Sequence, residues 1–367
     1  MARLAVVMAR ATSIMVGTRE FSYFGGCGYL GLAHHPRVIE AAASGLRRYG
    51  ISSGAARETS GNATVHDELE AEVARRLGTE AALLAPEGYT ANFVAAQALA
   101  EECDVALIDD ASHASLFDAA AASEIEVLSW PHGDLAAART LARSVQGRRA
   151  VWMTDSVFPS LGEAAPLDEL ASLAAQAGDA LLVDDGHGTG VLGRRGLGAL
   201  ERWGLDGTRV VLTSTFSKAL GTYGGFVAGD RTLIDGARRR SAVYLGTTPI
   251  PPALALAGLA ALELAFDTAE LVDRMRANSA ALRGAFEHLG LPVPREDLPV
   301  FAFALETRAR MDALDLDLRS RGFLAPLVRY PGGPEAGNFR VVVNAAHTLD
   351  EVGRFAEALG QGLRSVR

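Results

Sequence analysis

Two stretches of this 367-residue chain carry side chains whose types and spacing could do chemistry. The first runs from Thr213 to Gly225, Thr-Ser-Thr-Phe-Ser-Lys-Ala-Leu-Gly-Thr-Tyr-Gly-Gly, with Lys218 at its centre. The apolar run Val210-Val211-Leu212 leads into it, hydroxyls crowd around the lysine, and glycines follow at once. A lysine just past a strand, among small polar residues, is a candidate Schiff-base amine. The bland alternative is a surface lysine capping a turn, the usual place for lysine.

The second stretch, Ala180-Leu-Leu-Val-Asp-Asp-Gly-His-Gly-Thr-Gly190, opens with four apolar residues of the kind that fill a parallel sheet. It ends in Asp184, with His187 three residues on. In open α/β sheets ligands sit off the carboxyl ends of the strands, so Asp184 occupies a position where a carboxylate meets a ligand. A carboxylate there can keep a pyridine nitrogen protonated, which is what makes pyridoxal phosphate an electron sink. The alternatives are a helix N-cap for Asp184 and a hydrogen-bonded loop histidine for His187.

Alternating elements must hold these groups. Residues 12–24 read as extended, with a turn at Gly17. Pro36 to Tyr49 reads as a helix with Val38, Ile39, Ala42 and Leu46 on an apolar face. A second helix runs from Val65 to Leu77, where Thr64 and Asp67 have capping-box spacing and Gly78 supplies the stop. Short apolar strands are expected at Ala81–Leu84, Val105–Ile108, Val151–Thr154, Ala180–Val183, Val210–Thr213 and Phe226–Ala228, mostly separated by helical patterns. That alternation predicts an α/β fold built on a doubly wound, mostly parallel sheet. A long Ala/Leu-rich helix is expected from Pro252 through Leu271 and onward. Strands near Val300–Leu305 and Phe339–Val343 belong to a smaller α+β region. The length predicts two domains, a large one over 46–265 and a smaller one from 1–45 with 266–367.

Composition narrows the function. With 49% hydrophobic and 22% charged residues the chain is globular. A net charge of -9 argues against nucleic acid as the main partner. Cys27 and Cys103 have neither metal-ligand spacing nor a disulfide framework, so no metal is expected. The apolar stretch near the start is too short for a signal peptide or a membrane span, so no membrane partner and a cytoplasmic location are expected.

Nine motifs, in order along the chain, make it similar to the α-oxoamine synthase family of fold-type I pyridoxal-phosphate enzymes. They are Tyr29-Leu-Gly-Leu-Ala-His-His-Pro36, Ser60-Gly-Asn-Ala-Thr-Val-His66 with Leu69-Glu70, Gly88-Tyr-Thr-Ala-Asn92, His113-Ala-Ser115, Asp155-Ser-Val-Phe158, Asp184-Asp-Gly-His187, Thr215-Phe-Ser-Lys-Ala-Leu-Gly221, Thr247-Thr-Pro249, and Arg340 with Ala345-Ala-His-Thr348.

The resemblance implies a role for each matching residue. Lys218 resembles the internal-aldimine lysine, Asp184 the partner of the pyridine nitrogen, and His187 the group bonded to the ring's O3′. His113 resembles the histidine stacked on the ring, and Ser156 a serine near the ring oxygen. Gly88, Tyr89 and Thr90 match the segment whose backbone N–H groups bind phosphate, a task suited to a helix N-terminus. Thr215 resembles a phosphate ligand of the same subunit; Thr247 and Thr248 resemble ligands drawn from the neighbouring subunit of a homodimer. Arg340 matches the arginine that binds the amino-acid carboxylate, for which a guanidinium fork is apt. His66 and His347 are compatible with a structural role, and His34 and His35 with a polar turn.

The implied reaction is decarboxylating condensation of an α-amino acid with an acyl thioester, on CoA or an acyl carrier protein, giving an α-amino ketone. A pyridoxal-phosphate aminotransferase or lyase could use the same lysine and aspartate. Two departures bear on the substrates. Cys27 replaces the family's substrate-side asparagine, and the chain starts close to its first strand where members carry an additional helix. Ala56, if it faces the substrate side chain, would admit alanine or serine as readily as glycine.

Overall fold

The computed structural model describes residues 5–205, 209–328 and 336–366. They form two compact units, one of the described residues within 35–158 and 164–269, the other of those within 1–34, 159–163 and 270–367.

The first unit is built on a seven-stranded sheet. In spatial order its strands are Ala81–Ala85, Gly225–Gly229, Arg209–Thr215, Ala180–Asp184, Ala150–Asp155, Val105–Asp109 and Glu126–Trp130. All are parallel except Gly225–Gly229, which runs antiparallel to both neighbours. The strands Ala81–Ala85, Val105–Asp109 and Ala150–Asp155 are buried along their length, which is why they read as apolar runs rather than as alternating ones. The alternation of strands and helices therefore predicted the sheet correctly. The edge strand Glu126–Trp130 was not anticipated, because its mixed polar character, Glu-Val-Leu-Ser-Trp, carries no apolar run.

Register brings the chemistry-bearing ends together. Asp184 pairs with Asp155 on one side and with Thr213 on the other. Thr215 pairs with Gly225, and Gly225 with Ala85. One edge of the sheet thus presents the ends of five strands, and the helix Gly88–Leu99 begins just beyond Ala85.

Three local expectations are corrected. The helix Pro36–Tyr49 buries only Val38 and Gly45, while Ile39 and Leu46 are about half exposed in the single chain. Its contact is a close backbone approach to the helix Pro252–Phe266: a methyl at Gly45 would lie 2.5 Å from Ala253 Cα. The helix Thr64–Leu77 is capped by Ala63 rather than by a Thr64–Asp67 box. His66 Nδ1 accepts the Ala63 N–H at 3.1 Å, and Asp67 instead accepts from Asn62 and Arg57. The expected single helix onward from Pro252 ends at Phe266, and a separate one spans Glu270–His288. Gly78 does stop its helix, in the left-handed conformation that glycine adopts without penalty.

The second unit holds two small sheets. Val6–Ala9, Ser13–Val16 and Arg19–Tyr23 form an antiparallel meander joined by Phe323–Leu324, and Val300–Phe303, Asn338–Val342 and Leu327–Val328 form the other. The strand Val6–Ala9, exposed at every residue, was not anticipated. An aromatic core of Phe24, Phe286, Phe301, Phe303, Phe339 and Phe355 holds the unit, with Phe24 stacked on Phe355 at 4.1 Å between ring centres.

Candidate active site

In the first unit the two key stretches meet at one glycine. A methyl at Gly186 would lie 2.8 Å from Lys218 Nζ and 3.0 Å from Asp184 Oδ1, so amine and carboxylate flank the same point. Lys218 is half-buried and follows the strand that ends at Thr215. Its bland alternative, a surface turn cap, does not fit these neighbours. The sequence also holds a signal that motif reading passed over: Lys218 is the only lysine among 35 Lys and Arg residues. Every other cationic position uses arginine, so surface charge does not account for an amine here.

Asp184 is held from two sides. Its Oδ1 accepts the Gly186 N–H at 2.9 Å, and its Oδ2 accepts from Asn92 Nδ2 at 2.7 Å. Beside it lies Asp155, fully buried, whose Oδ2 accepts the backbone N–H of His113 at 2.7 Å. Burial first, and then the nearby Asp184, push the Asp155 carboxyl well above the usual carboxylate range. Asp185 is equally buried, accepts from the Thr189 hydroxyl and the Ala199 N–H, and is pushed up to about 7 by burial. It serves the loop rather than the ligand side, because its carboxyl closes on the chain at Gly188 and Gly198.

His113 caps the helix Ala114–Ala122 and stays exposed. Its Nδ1 contacts Ser115 Oγ at 2.8 Å, and its ring meets that of Tyr89 edge-on at 5.9 Å. His187 is half-buried in the loop that follows Asp184, and Ser156 is fully buried with its N–H donated to the Asp184 carbonyl at 2.9 Å.

A helix start lies at the same sheet edge. Gly88, Tyr89 and Thr90 form the first turn of the helix Gly88–Leu99, where backbone N–H groups have no intrahelical acceptor. A methyl at Gly88 would lie 2.7 Å from Thr215 Cβ, so only glycine lets this turn approach the threonine. Thr215 Oγ1 donates to the Gly224 carbonyl at 2.9 Å and accepts the Ser217 N–H at 3.1 Å. Helix-start N–H groups, an amine and an acid at one edge of the sheet are a donor set that suits pyridoxal phosphate.

Thr247 is half-buried and Thr248 exposed; the Thr247 hydroxyl donates to the Val243 carbonyl at 2.6 Å. In the second unit Arg340 is buried on the strand Asn338–Val342. It donates to Tyr29 Oη at 3.2 Å and contacts Cys27 Sγ at 3.5 Å. Burial holds the Tyr29 phenol far above its ordinary pKa, so it stays a neutral hydroxyl against the guanidinium.

The histidines that allowed a structural reading take it. His66 is buried, spanning the Ala63 N–H and the Ile250 carbonyl, and burial lowers its pKa. His347 accepts the Asn344 N–H and reaches the Tyr23 carbonyl. His35 caps the helix Pro36–Tyr49.

Residues 25–359 match the aminotransferase class I and II family. The chain is 38% identical over 340 residues to 8-amino-7-oxononanoate synthase of Methylococcus capsulatus, covering 91% of this chain and 87% of that one. It is likewise 38% identical over 355 residues to the protein of that name from Thioalkalivibrio sulfidiphilus, covering 95% and 90%. Among solved structures, serine palmitoyltransferase from S. paucimobilis with a bound PLP–myriocin aldimine superposes with a TM-score of 0.93 at 25% identity, over 99% of this chain and 93% of that one. The 8-amino-7-oxononanoate synthase from Francisella tularensis shares the fold, with a TM-score of 0.80 at 21% identity over 94% and 98%.

Proposed function

Because this chain belongs to the aminotransferase class I and II family, and within it to the α-oxoamine synthases, we propose that Lys218, Asp184 and His113 form its catalytic core. The chain is a pyridoxal-phosphate-dependent acyltransferase that condenses an α-amino acid with an acyl thioester, with loss of carbon dioxide, to give an α-amino ketone. The observation that carries the assignment is the sole lysine of the sequence, flanking Gly186 together with Asp184.

When bound, pyridoxal phosphate supplies an electrophilic aldehyde and an electron-accepting ring. The Asp184 carboxylate holds a proton on the ring nitrogen. Lys218 Nζ takes the Cα proton of the amino acid and returns one to that carbon after the carboxylate has left as carbon dioxide; the thiol departs from the acyl carbonyl as the new carbon–carbon bond forms. General acid–base help of this kind is worth about 10²–10⁴-fold. His113 would cover the cofactor ring and keep water from it. His187 would serve the ring oxygen, whereas the buried Ser156 hydroxyl is turned to Asp185. The N–H groups of Gly88, Tyr89 and Thr90 would hold the phosphate, and the Thr215 hydroxyl would join them by turning its hydrogen from the Gly224 carbonyl.

Arg340 receives the amino-acid carboxylate, with Cys27 beside it in place of the family's asparagine. The Tyr29 hydroxyl, neutral and within hydrogen-bond distance, supports that role by fixing the guanidinium.

The active form in this reading is a cytoplasmic homodimer, with Thr247 and Thr248 completing the phosphate site of the neighbouring copy. The exposed Ile39, Leu46, Ile51 and Leu245 support it, as apolar side chains suited to cover by a second subunit. Among the described residues no helix is long and apolar enough to cross a membrane.

A matrix of amino acids against acyl thioesters tests the reaction. Production of an α-amino ketone, with one thiol and one carbon dioxide per turnover, is the expected result. Transfer of the amino group without thiol release would contradict it.

A further inference from the structure

Asn92 is fully buried and lies outside the set of groups assigned to cofactor or substrate, yet it touches the most consequential of them. Its Nδ2 lies 2.7 Å from Asp184 Oδ2 and 2.8 Å from Ser115 Oγ. Its Oδ1 accepts the hydroxyl of Thr213, which sits on the strand beside Asp184. Ser115, also buried, continues the line to His113 Nδ1 at 2.8 Å.

Hydrogen-bond chemistry gives this line a direction. A carboxylate only accepts, so the Asn92 atom facing Asp184 is the NH2 nitrogen, and the Thr213 hydroxyl on Oδ1 agrees with that orientation. The two amide hydrogens then go to Asp184 Oδ2 and Ser115 Oγ. With its oxygen accepting from Asn92, Ser115 turns its own hydrogen toward His113 Nδ1. The backbone N–H of Ser115 faces the same ring nitrogen at 3.3 Å. Two donors aimed at Nδ1 require it to be the unprotonated nitrogen, which leaves the ring hydrogen on Nε2.

We propose that Asn92 and Ser115 are positioning residues that link Asp184 to His113 through hydrogen bonds running outward from the Asn92 amide, and that they fix His113 as the Nε2–H tautomer. The consequence for catalysis rests on the reading that these two side chains face the cofactor. The acid under the ring nitrogen and the imidazole over the ring face are then set by a single amide. A donor–acceptor reversal at position 92 propagates to the imidazole, whereas a purely structural asparagine would change packing and leave the tautomer alone.

The test is ¹⁵N NMR of His113 in protein labelled at the histidine ring nitrogens, recorded with and without pyridoxal phosphate. Wild-type protein is expected to show a ring that carries hydrogen at Nε2 and accepts at Nδ1. Asn92→Asp replaces the donor to Ser115 by an acceptor, so the serine hydrogen turns away from Nδ1. The His113 signal is then expected to shift toward the Nδ1–H or imidazolium form. In the Ser115→Ala background the same substitution is expected to lose that effect, because the relay is cut. A wild-type ring protonated at Nδ1 overturns the proposal without need of any variant. So does an Asn92→Asp shift that survives undiminished in Ser115→Ala. Failure of the protein to take up the cofactor would instead count against the functional reading, since the tautomer is read in the cofactor-free protein as well.

Discussion

Asp155 and Asp184 occupy the same register position on adjacent parallel strands, so two carboxyl groups end side by side at the sheet edge. The pair is tolerable because the two are not alike. Asp184 accepts from Asn92 and Gly186, whereas Asp155, fully buried, is driven toward its neutral form and accepts the N–H of His113. Asp155→Asn keeps an acceptor for that N–H and removes the buried acid, so denaturant midpoints near neutral pH should match or exceed wild type. Asp155→Leu strands the N–H and should cost about 1–3 kcal/mol. Equal losses in both variants would contradict this account of the pair.

Asp185 makes stability depend on pH. Its folded pKa of about 7 lies above the ordinary carboxylate value of about 3.9. Between those values the folded chain binds the proton and the unfolded chain does not, so this contribution is complete below the lower value and fades as pH rises through about 7. Asp185→Asn should flatten that part of the profile. Thermal midpoints across the window would read it; identical slopes in variant and wild type would remove Asp185 as a source.

Gly88→Ala should weaken cofactor binding before it weakens the fold. The added methyl would sit 2.7 Å from Thr215 Cβ, so the helix start and the threonine must move apart. Overpacking of this kind costs about 1–3 kcal/mol, and here it falls on the two elements assigned to one phosphate. Equilibrium dialysis with pyridoxal phosphate should register the loss, and unchanged affinity would place the phosphate elsewhere.

Arg340→Lys separates substrate from cofactor. A lysine keeps the charge but lacks the planar fork that matches a carboxylate. The expected change is a fall of roughly 10- to 100-fold in kcat/KM for the amino acid, the scale of one charge-assisted hydrogen bond, with cofactor affinity unaltered. A loss confined to the acyl thioester would reassign the residue.

The sequence made the buried sheet readable because strands covered on both faces carry unbroken apolar runs, as at Val105–Ile108. The edge strand Glu126–Trp130 escaped because its mixed polar character hides the period. Motif spacing pointed to Lys218 and Asp184, and the structure brings both to Gly186 because their strands end at one edge. It could not find the link from Asn92 to Ser115, which depends on two helices meeting through side chains 23 residues apart. Nor could it choose Ala63 over Thr64 as a cap: that choice turns on His66 folding back to its own helix start. The exposure of Ile39 and Leu46 was hidden for a related reason, because apolar periodicity marks a face to be covered without saying by what.

The most direct measurement is borohydride reduction of the protein with pyridoxal phosphate, followed by peptide mass mapping. With a single lysine in the chain, the ε-amine at 218 is the only side-chain amine able to hold the cofactor. A phosphopyridoxyl group is expected on the peptide carrying Lys218, and Lys218→Ala should lose both that group and turnover by about 10²–10⁴-fold. An unmodified Lys218, or a reduced adduct that persists elsewhere in Lys218→Ala, would contradict the assignment.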